Sequence, residues 1–250
     1  MNYFIEGRTA PVLFEDCVGS TSTALKELAG NGAAHGTVLI ARRQTGGRGR
    51  LGRSFESPPG GLYMSMLLRT ALPPERTVTV TPLAAIAVCR AVETLCGLTP
   101  EIKWPNDVQL SGKKLCGILT EMSAEKSGAR LVLGIGVNVN TRLEDFSPAL
   151  RNTACSIFTH TGRYADISAL AGELIRELDS LFPAWEKDGS AILPEYRRRC
   201  TTVGRDILVL QNGVSTSARA VGINDDMSLR VITGSGEMSL RFGEVTVRTN

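Results

Sequence analysis

Residues 44–53 read Gln44-Thr45-Gly46-Gly47-Arg48-Gly49-Arg50-Leu51-Gly52-Arg53, and their interpretation separates two fold classes. Formally they contain G-x-G-x-x-G, the phosphate loop of a doubly wound nucleotide fold. Such a loop must open a helix. Here Ser54-Phe55-Glu56-Ser57-Pro58-Pro59-Gly60-Gly61 follows, and its two prolines and two glycines oppose helix growth. Neither H-R-D nor D-F-G occurs downstream, and no Walker A sequence occurs in the chain, so kinase and P-loop readings fail too. What remains is three arginines, Arg48, Arg50 and Arg53, among glycines that let backbone N–H groups approach a ligand. Guanidinium forks bind carboxylate and phosphate in pairs, so the loop suits a ligand with several anionic oxygens. A mobile basic loop is the plain alternative; a single copy set between strands disfavours an RGG-like RNA tether.

Outward from that loop the chain alternates strands and helices. Ser20 and the hydroxyls after it precede Leu25 and Leu28, the pattern of a capped helix start, and Val38 to Ala41 follows as a strand. On the other side, Leu62, Met64, Met66 and Leu68 alternate with Tyr63, Ser65 and Leu67 at the period of a sheet. Thr81-Pro82 opens a helix with Val88, Val92 and Leu95 on one face, which Gly97 stops. Glu101 to Trp104, Leu115 to Glu121 and Leu131 to Val139 read as strands of a mostly antiparallel sheet, joined by Pro105-Asn106-Asp107 and by the segment 125–128. Ile167 to Phe182 is an amphipathic helix behind an Asp166 cap, expected to pack across that sheet. From Val203 onward short alternating runs (Ile207–Leu210, Ala218–Val221, Leu229–Ile232, Met238–Phe242), parted by Asn212-Gly213 and other turns, predict a small β-barrel. The boundary falls near Cys200, giving domains 1–200 and 201–250. The preceding Arg197-Arg198-Arg199 reads as a solvated helix end.

The 250 residues are 42% hydrophobic and 21% charged, an ordinary globular composition, and a net charge of +3 implies no nucleic-acid binding by bulk charge. Any anion binding must be local. Six scattered cysteines without a C-x-x-C pair read as reduced, buried thiols, and two histidines exclude a His-rich metal site. Residues 1–10 lack a signal core, and no stretch reaches the apolar length of a membrane span, so a soluble cytoplasmic protein is expected.

Three further segments carry candidate chemistry. Lys103-Trp104-Pro105-Asn106-Asp107 places a cation, an aromatic, a rigid turn and an amide-carboxylate pair at a strand end, although a plain β-turn explains the same residues. In Lys114-Leu115-Cys116-Gly117-Ile118-Leu119-Thr120-Glu121 the strand period puts Lys114 on the face of Cys116 and Ile118, a functional cation or a snorkelling one. In Gly134-Ile135-Gly136-Val137-Asn138 the glycines share a face with Asn138 while Leu133, Ile135 and Val137 point into a core. A bare glycine face admits a ligand or a closely packed neighbour.

In this order the four motifs resemble the biotin protein ligase family, and the resemblance extends to Ser20-Thr21-Ser22 and to residues 243–248. It implies an α+β fold with a mixed, mostly antiparallel sheet packed with helices, followed by an SH3-like β-barrel. It also implies activation of biotin by MgATP to biotinyl-5'-AMP and pyrophosphate, then transfer to a lysine of a biotin carboxyl carrier protein domain. By the same resemblance Arg48, Arg50 and Lys114 are catalytic. Ser20, Thr21, Ser22, Gln44, Arg48, Gly49, Arg50, Lys114 and Gly117 contact biotin, while Arg50, Arg53, Phe55, Lys103, Asn106, Lys114 and Asn138 contact ATP. Trp104 and Asp107 support them, Asp107 also as a base for the incoming lysine, and no protein-held metal is implied. Many members have Asn where this chain has Ser22, a change expected to alter affinity rather than substrate. A homodimer is also implied. Some 19 residues ahead of Ser20 are too few for a helix-turn-helix domain, so no direct DNA binding is expected. The competing readings are a lipoate or octanoate ligase and a non-catalytic ligand sensor.

Overall fold

The computed structural model describes residues 2, 3, 5, 7–126, 128–211, 214–241 and 246–249. Phe242, residues 243–245 of the terminal motif, and the Asn212-Gly213 turn lie outside them. Among the described residues eight strands form the main sheet: β1 (Asn2–Tyr3), β2 (Val12–Val18), β3 (Val38–Gln44), β4 (Gly61–Thr70), β5 (Glu101–Lys103), β6 (Asp107–Leu110), β7 (Lys113–Glu125) and β8 (Gly128–Asn138). Their spatial order is β1-β2-β3-β4-β8-β7-β6-β5. All neighbours are antiparallel except β2 and β3. That parallel pair needs a crossover, supplied by α1 (Thr21–Gly30). Strand β2 was not expected from sequence; its Glu15-Asp16 interrupts the apolar alternation because three of its residues are exposed.

Strand β4 is buried on both faces. On one side Leu62, Met64, Met66 and Leu68 join the large core under α3 (Val80–Cys96), preceded by the short α2 (Pro74–Thr77). On the other, Leu67 packs with Leu39, Val132, Leu25 and Ala29 beneath α1. The functional groups described below lie on this second face. Helix α3 ends where expected, Gly97 taking the left-handed conformation at φ 65° that glycine adopts without strain. The 23 residues Pro74–Cys96 have the length and apolarity of a membrane helix, contrary to the sequence expectation, but most of α3 is buried in this core.

After α4 (Ile157–Thr161), helix α5 (Ile167–Lys187) is capped by Asp166, whose carboxylate accepts from the Ser168 and Ala169 amides. It packs mainly on α3 rather than across the sheet, and it runs five residues past Phe182, through Pro183. The buried Trp185 anchors this extension, its Nε1 donating to Thr79 Oγ1 at 2.7 Å. Strand β6, also unexpected, is joined to β7 by Ser111-Gly112, both at positive φ, as a two-residue hairpin requires.

Helix α6 (Leu193–Arg199) leads into β9 (Asp206–Gln211), β10 (Val214–Ile223), β11 (Leu229–Thr233), β12 (Gly236–Leu240) and β13 (Thr246–Thr249), an antiparallel sheet ordered β12-β11-β10-β9-β13. The apolar core continues from the main sheet into this unit through Ile207, Val209, Ala220 and Val231. Four of the six cysteines are buried as expected, but Cys17 is exposed and Cys96 half-buried. All six are free thiols.

Of the basic run, Arg197 and Arg198 are exposed as a solvated helix end should be, but Arg199 is not. Arg199 is only 8% exposed, its Nη atoms each 2.7 Å from the Glu93 carboxylate and its Nε 2.9 Å from Glu195. Arg90 reaches Glu195 from the other side at 2.6 Å. Burial alone raises the Glu195 pKa, but the hydrogen bonds from Arg90 and Arg199 outweigh it and leave it below the ordinary value. A depressed carboxylate contributes stability that is complete above its unfolded pKa and lost as pH falls through the folded one. Arg199→Ala should therefore cost about 2–3 kcal/mol at neutral pH, less than for a fully buried pair because Glu93 is partly exposed. Urea unfolding should show this loss shrinking below pH 4; a pH-independent difference would contradict the ion-pair assignment.

Candidate active site

Two chambers open on the α1 face of the main sheet. The first, about 280 Å³, is lined by the start of α1 (Ser20, Thr21, Ser22), by Gln44, by the loop after β3 (Arg48, Gly49, Arg50, Arg53), by Trp104 and Asn106, and by Gly117, Gly134 and Gly136. The second, about 480 Å³, takes in Asn138, Gln109, Asn152, Thr153, Thr201, Thr202 and Arg205. Ser54, Phe55, Lys103, Asp107 and Lys114 line both, so the chambers meet at these five residues.

The junction is built on missing side chains. A Cβ at Gly136 would lie 2.5 Å from Phe55 Cε1, and one at Gly117 would lie 2.9 Å from Phe55 Cε2 and 3.2 Å from Lys114 Nζ. The bare glycine face is thus the seat of the Phe55 ring. Its loop is drawn down with it: Phe55 N donates to Gly47 O at 2.9 Å, and Gly49 N donates to Arg53 O at 2.7 Å. Between them Leu51 is held at φ 56°, a conformation costly for a non-glycine residue, with its side chain 63% exposed.

Lys114 does not share the face of Cys116 and Ile118. Val108 pairs with Cys116 but Gln109 with Lys114, so Leu115 is the extra residue of a β-bulge. The bulge resets the alternation and turns Lys114 toward Gly117, where Nζ lies 2.7 Å from Asp107 Oδ1 and 5.8 Å from the Phe55 ring centre. Strand periodicity cannot reveal a bulge, which is why the sequence reading misplaced this side chain.

The remaining cations are held at graded depth. Arg50 Nη1 donates to Asn106 Oδ1 at 3.0 Å, and Asn106 Nδ2 in turn donates to Ile118 O at 2.9 Å. Arg50 Nη2 is buried and has no hydrogen-bond partner among the described residues. Burial lowers the Arg50 pKa despite the opposing attraction of Asp107. A desolvated guanidinium with an open donor is a prepared anion site. Arg48, half exposed, leans on Glu121 of β7 at 3.4 Å, the same carboxylate that receives Lys26 of α1 at 2.5 Å.

Several residues expected to contact ligand also brace the frame. Asn138 is buried and donates to Cys155 O at 3.0 Å, so its amide ties β8 to the segment behind the second chamber. Trp104 is buried and donates from Nε1 to Met227 O at 3.0 Å, linking the 103–107 turn to the C-terminal sheet. Arg53 and Asn106 line the first chamber and Asn138 the second. At the inner end of the first chamber, Ser65 Oγ of β4 lies 2.8 Å from Thr21 Oγ1 and 3.0 Å from Ser22 Oγ. Sequence reading missed Ser65 as a site residue. Its only signal was a polar position on an otherwise apolar strand. It also missed Thr201, Thr202 and Arg205, for which no local pattern exists.

Residues 14–138 match the model of the biotin/lipoate A/B protein ligase family, and the chain belongs to that family. Its branch is that of the biotin protein ligases: the chain is 33% identical over 228 residues to the bifunctional ligase/repressor BirA of Bacillus spizizenii, covering 90% of this chain and 70% of that one. It is 32% identical to the biotin–[acetyl-CoA-carboxylase] ligase of Mycobacterium tuberculosis, covering 91% of this chain and 85% of that one. The structure of the Aquifex aeolicus biotin protein ligase in complex with biotin and ATP superposes with a TM-score of 0.83 at 27% identity, covering 96% of this chain and 99% of that one.

Because Phe55 occupies the space a Cβ would need, Gly136→Ala should displace the ring and weaken ligand binding in the first chamber by about tenfold or more, while Phe55→Ala in the same chain should recover part of the loss. Isothermal titration of the double-mutant cycle measures this coupling. Strictly additive losses would show that the ring and the glycine act independently.

Proposed function

We propose that the protein joins biotin to ATP as biotinyl-5'-AMP and then passes the biotinyl group to a lysine of a biotin carboxyl carrier protein domain. The observation that carries this reading is the junction, where two lysines, Lys103 and Lys114, line both chambers beside a desolvated arginine with an unused donor. The biotin carboxylate attacks the α-phosphorus; its oxygen forms the new P–O bond as the bond to the β-phosphate oxygen breaks, and pyrophosphate leaves with that electron pair. The ε-amine of the acceptor lysine then attacks the acyl carbon, AMP departs, and the amine proton passes to solvent.

The first step brings a carboxylate against a polyphosphate, two groups that repel. Arg50 Nη2 and Lys114 Nζ lie where they meet and offset that repulsion, and they stabilise charge developing on the phosphoryl oxygens. Asp107 keeps Lys114 aimed across the junction through its 2.7 Å ion pair, and a role for Asp107 as a base in the second step requires that pair to open. Lys103 faces both chambers, and Arg205 adds a further cation on the polyphosphate side. Among the described residues no three His, Cys, Asp or Glu side chains gather, so the donor set fits Mg²⁺ carried on the phosphates rather than a protein-held ion. The seat for the biotin ring is the first chamber's inner end, where Thr21, Ser22 and Gln44 supply polar atoms for a ureido group. A lipoyl head has no ureido N–H to satisfy these groups, which disfavours the lipoate reading. We place the adenylating chemistry in residues 1–200, with residues 201–205 closing the second chamber as the C-terminal barrel begins. We assign the activity to the cytoplasm, where free thiols persist.

Pyrophosphate release from MgATP, measured with biotin, with lipoate and with no acid, tests the reading: release should require biotin, and Lys114→Ala should slow it about 10²-fold or more without loss of fold. Release with lipoate alone, or near-normal turnover in the variant, would contradict it.

A further inference from the structure

The polar groups behind the first chamber form one continuous chain of hydrogen bonds, and its direction is determined. Gln44 Oε1 accepts from the Thr21 backbone N–H at 2.8 Å, a group that can only donate, so the amide orientation is settled. Gln44 Oε1 therefore also accepts from Thr21 Oγ1, 3.1 Å away, which spends the single Thr21 hydroxyl proton. Ser65 Oγ, 2.8 Å from Thr21 Oγ1, must then donate to it. With the Ser65 proton spent in turn, the 3.0 Å contact between Ser65 and Ser22 can be made only with Ser22 as donor. At the other end Gln44 Nε2 donates to Ser57 Oγ at 2.8 Å, and Ser57 donates to Phe55 O at 3.0 Å. One backbone N–H thus orders six polar groups from Ser22 to the carbonyl of Phe55.

The consequence falls on Ser22. Its proton is held by Ser65, so its hydroxyl oxygen can offer the chamber only lone pairs. Ser65 is fully buried and does not line the chamber, so it acts through Ser22. The approach of these two hydroxyls depends on Gly134, where a Cβ would lie 2.6 Å from Ser22 Oγ.

We propose that Ser65 is a specificity-determining, positioning residue: it makes Ser22 an obligate hydrogen-bond acceptor, so that the inner end of the chamber selects carboxylic acids bearing a ring N–H donor and rejects isosteres bearing an acceptor there. The assignment rests on the biotin reading above and deepens it. A ureido ring satisfies Ser22 with an N–H. A cyclic carbamate of the same shape, with oxygen replacing one ring N–H, sets lone pair against lone pair, and the unsatisfied contact costs on the order of 10- to 100-fold in affinity.

The test is the ratio of dissociation constants for biotin and for its two carbamate analogues, one for each ring nitrogen, in the wild type, Ser65→Ala and Ser22→Ala. In the wild type one analogue should bind about 10- to 100-fold more weakly than biotin. In Ser65→Ala the Ser22 proton is released and can turn to the carbamate oxygen, so the ratio for that analogue should fall to within about threefold, even as biotin itself binds more weakly. Ser22→Ala removes the opposing lone pair and should collapse the same ratio, giving an independent reading if Ser65→Ala does not fold. A loss of packing alone weakens biotin and carbamate together; an unchanged ratio in a folded variant, or no discrimination in the wild type, overturns the assignment. Wild-type protein that binds no biotin overturns the biotin reading and this assignment with it, whereas tight biotin binding with an unaffected ratio overturns this assignment alone.

Discussion

The seating of one aromatic ring on two bare glycines organises the site. Phe55 lies where Gly117 and Gly136 carry no side chains, and in occupying that space it brings the loop after β3 down onto the sheet. Three consequences follow from that contact. The arginines of the loop come to face the first chamber, the ring itself stands between the two chambers, and Lys114 is confined beside it over the remaining glycine surface. A larger residue at either glycine would lift the loop, and the cations would lose their common focus. Close-packed interiors transmit such displacements rather than absorbing them.

Around this seat the protein concentrates charge without raising its overall charge. The chain is nearly neutral at +3, yet Arg48, Arg50, Arg53, Lys103 and Lys114 all line the first chamber, where Asp107 is the acidic lining residue. Each is held differently. Arg50 is half-buried, braced by Asn106 and left with an open donor on its buried Nη2; Lys114 is aimed by an ion pair; Arg48 is tied at the rim to Glu121 and, through it, to Lys26 of α1. Groups that are desolvated and prepositioned interact far more strongly with developing charge than the same groups in water. The polar chain from Ser22 to Phe55 complements them by ordering the uncharged end of the chamber before a ligand arrives.

Much of this was legible in the sequence because it is carried by local pattern. The two-residue period of Leu62 to Leu68, the stripe from Ile167 and the stop at Gly97 depend on periodicity and conformational preference, and the elements stand where those rules put them. The glycines at 134 and 136 announced a close approach, though not what approaches; Gly117 had no such signal. The misreadings share a cause: they depend on contacts distant in sequence. The bulge at Leu115 that turns Lys114 is set by pairing with β6, a strand too short and too turn-like to stand out. Arg199 looked solvated because Glu93 lies on a different helix. The helix from Ile167 reads as ending at Phe182 because the bond from Trp185 to Thr79 that holds its last turns spans 106 residues. Ser65 gains its role only when α1 crosses over β4.

Under the proposed function the two chambers form one site whose cations act where carboxylate and phosphate meet. Equilibrium binding of a non-hydrolysable biotinyl-adenosine sulfamate, which spans the junction with a linkage that cannot react, tests it directly in comparison with biotin alone. The spanning molecule should bind at least about 10³-fold more tightly than biotin, since it pays the cost of association once for two sets of contacts. Affinity no greater than that of biotin would show that the chambers do not act as a single site.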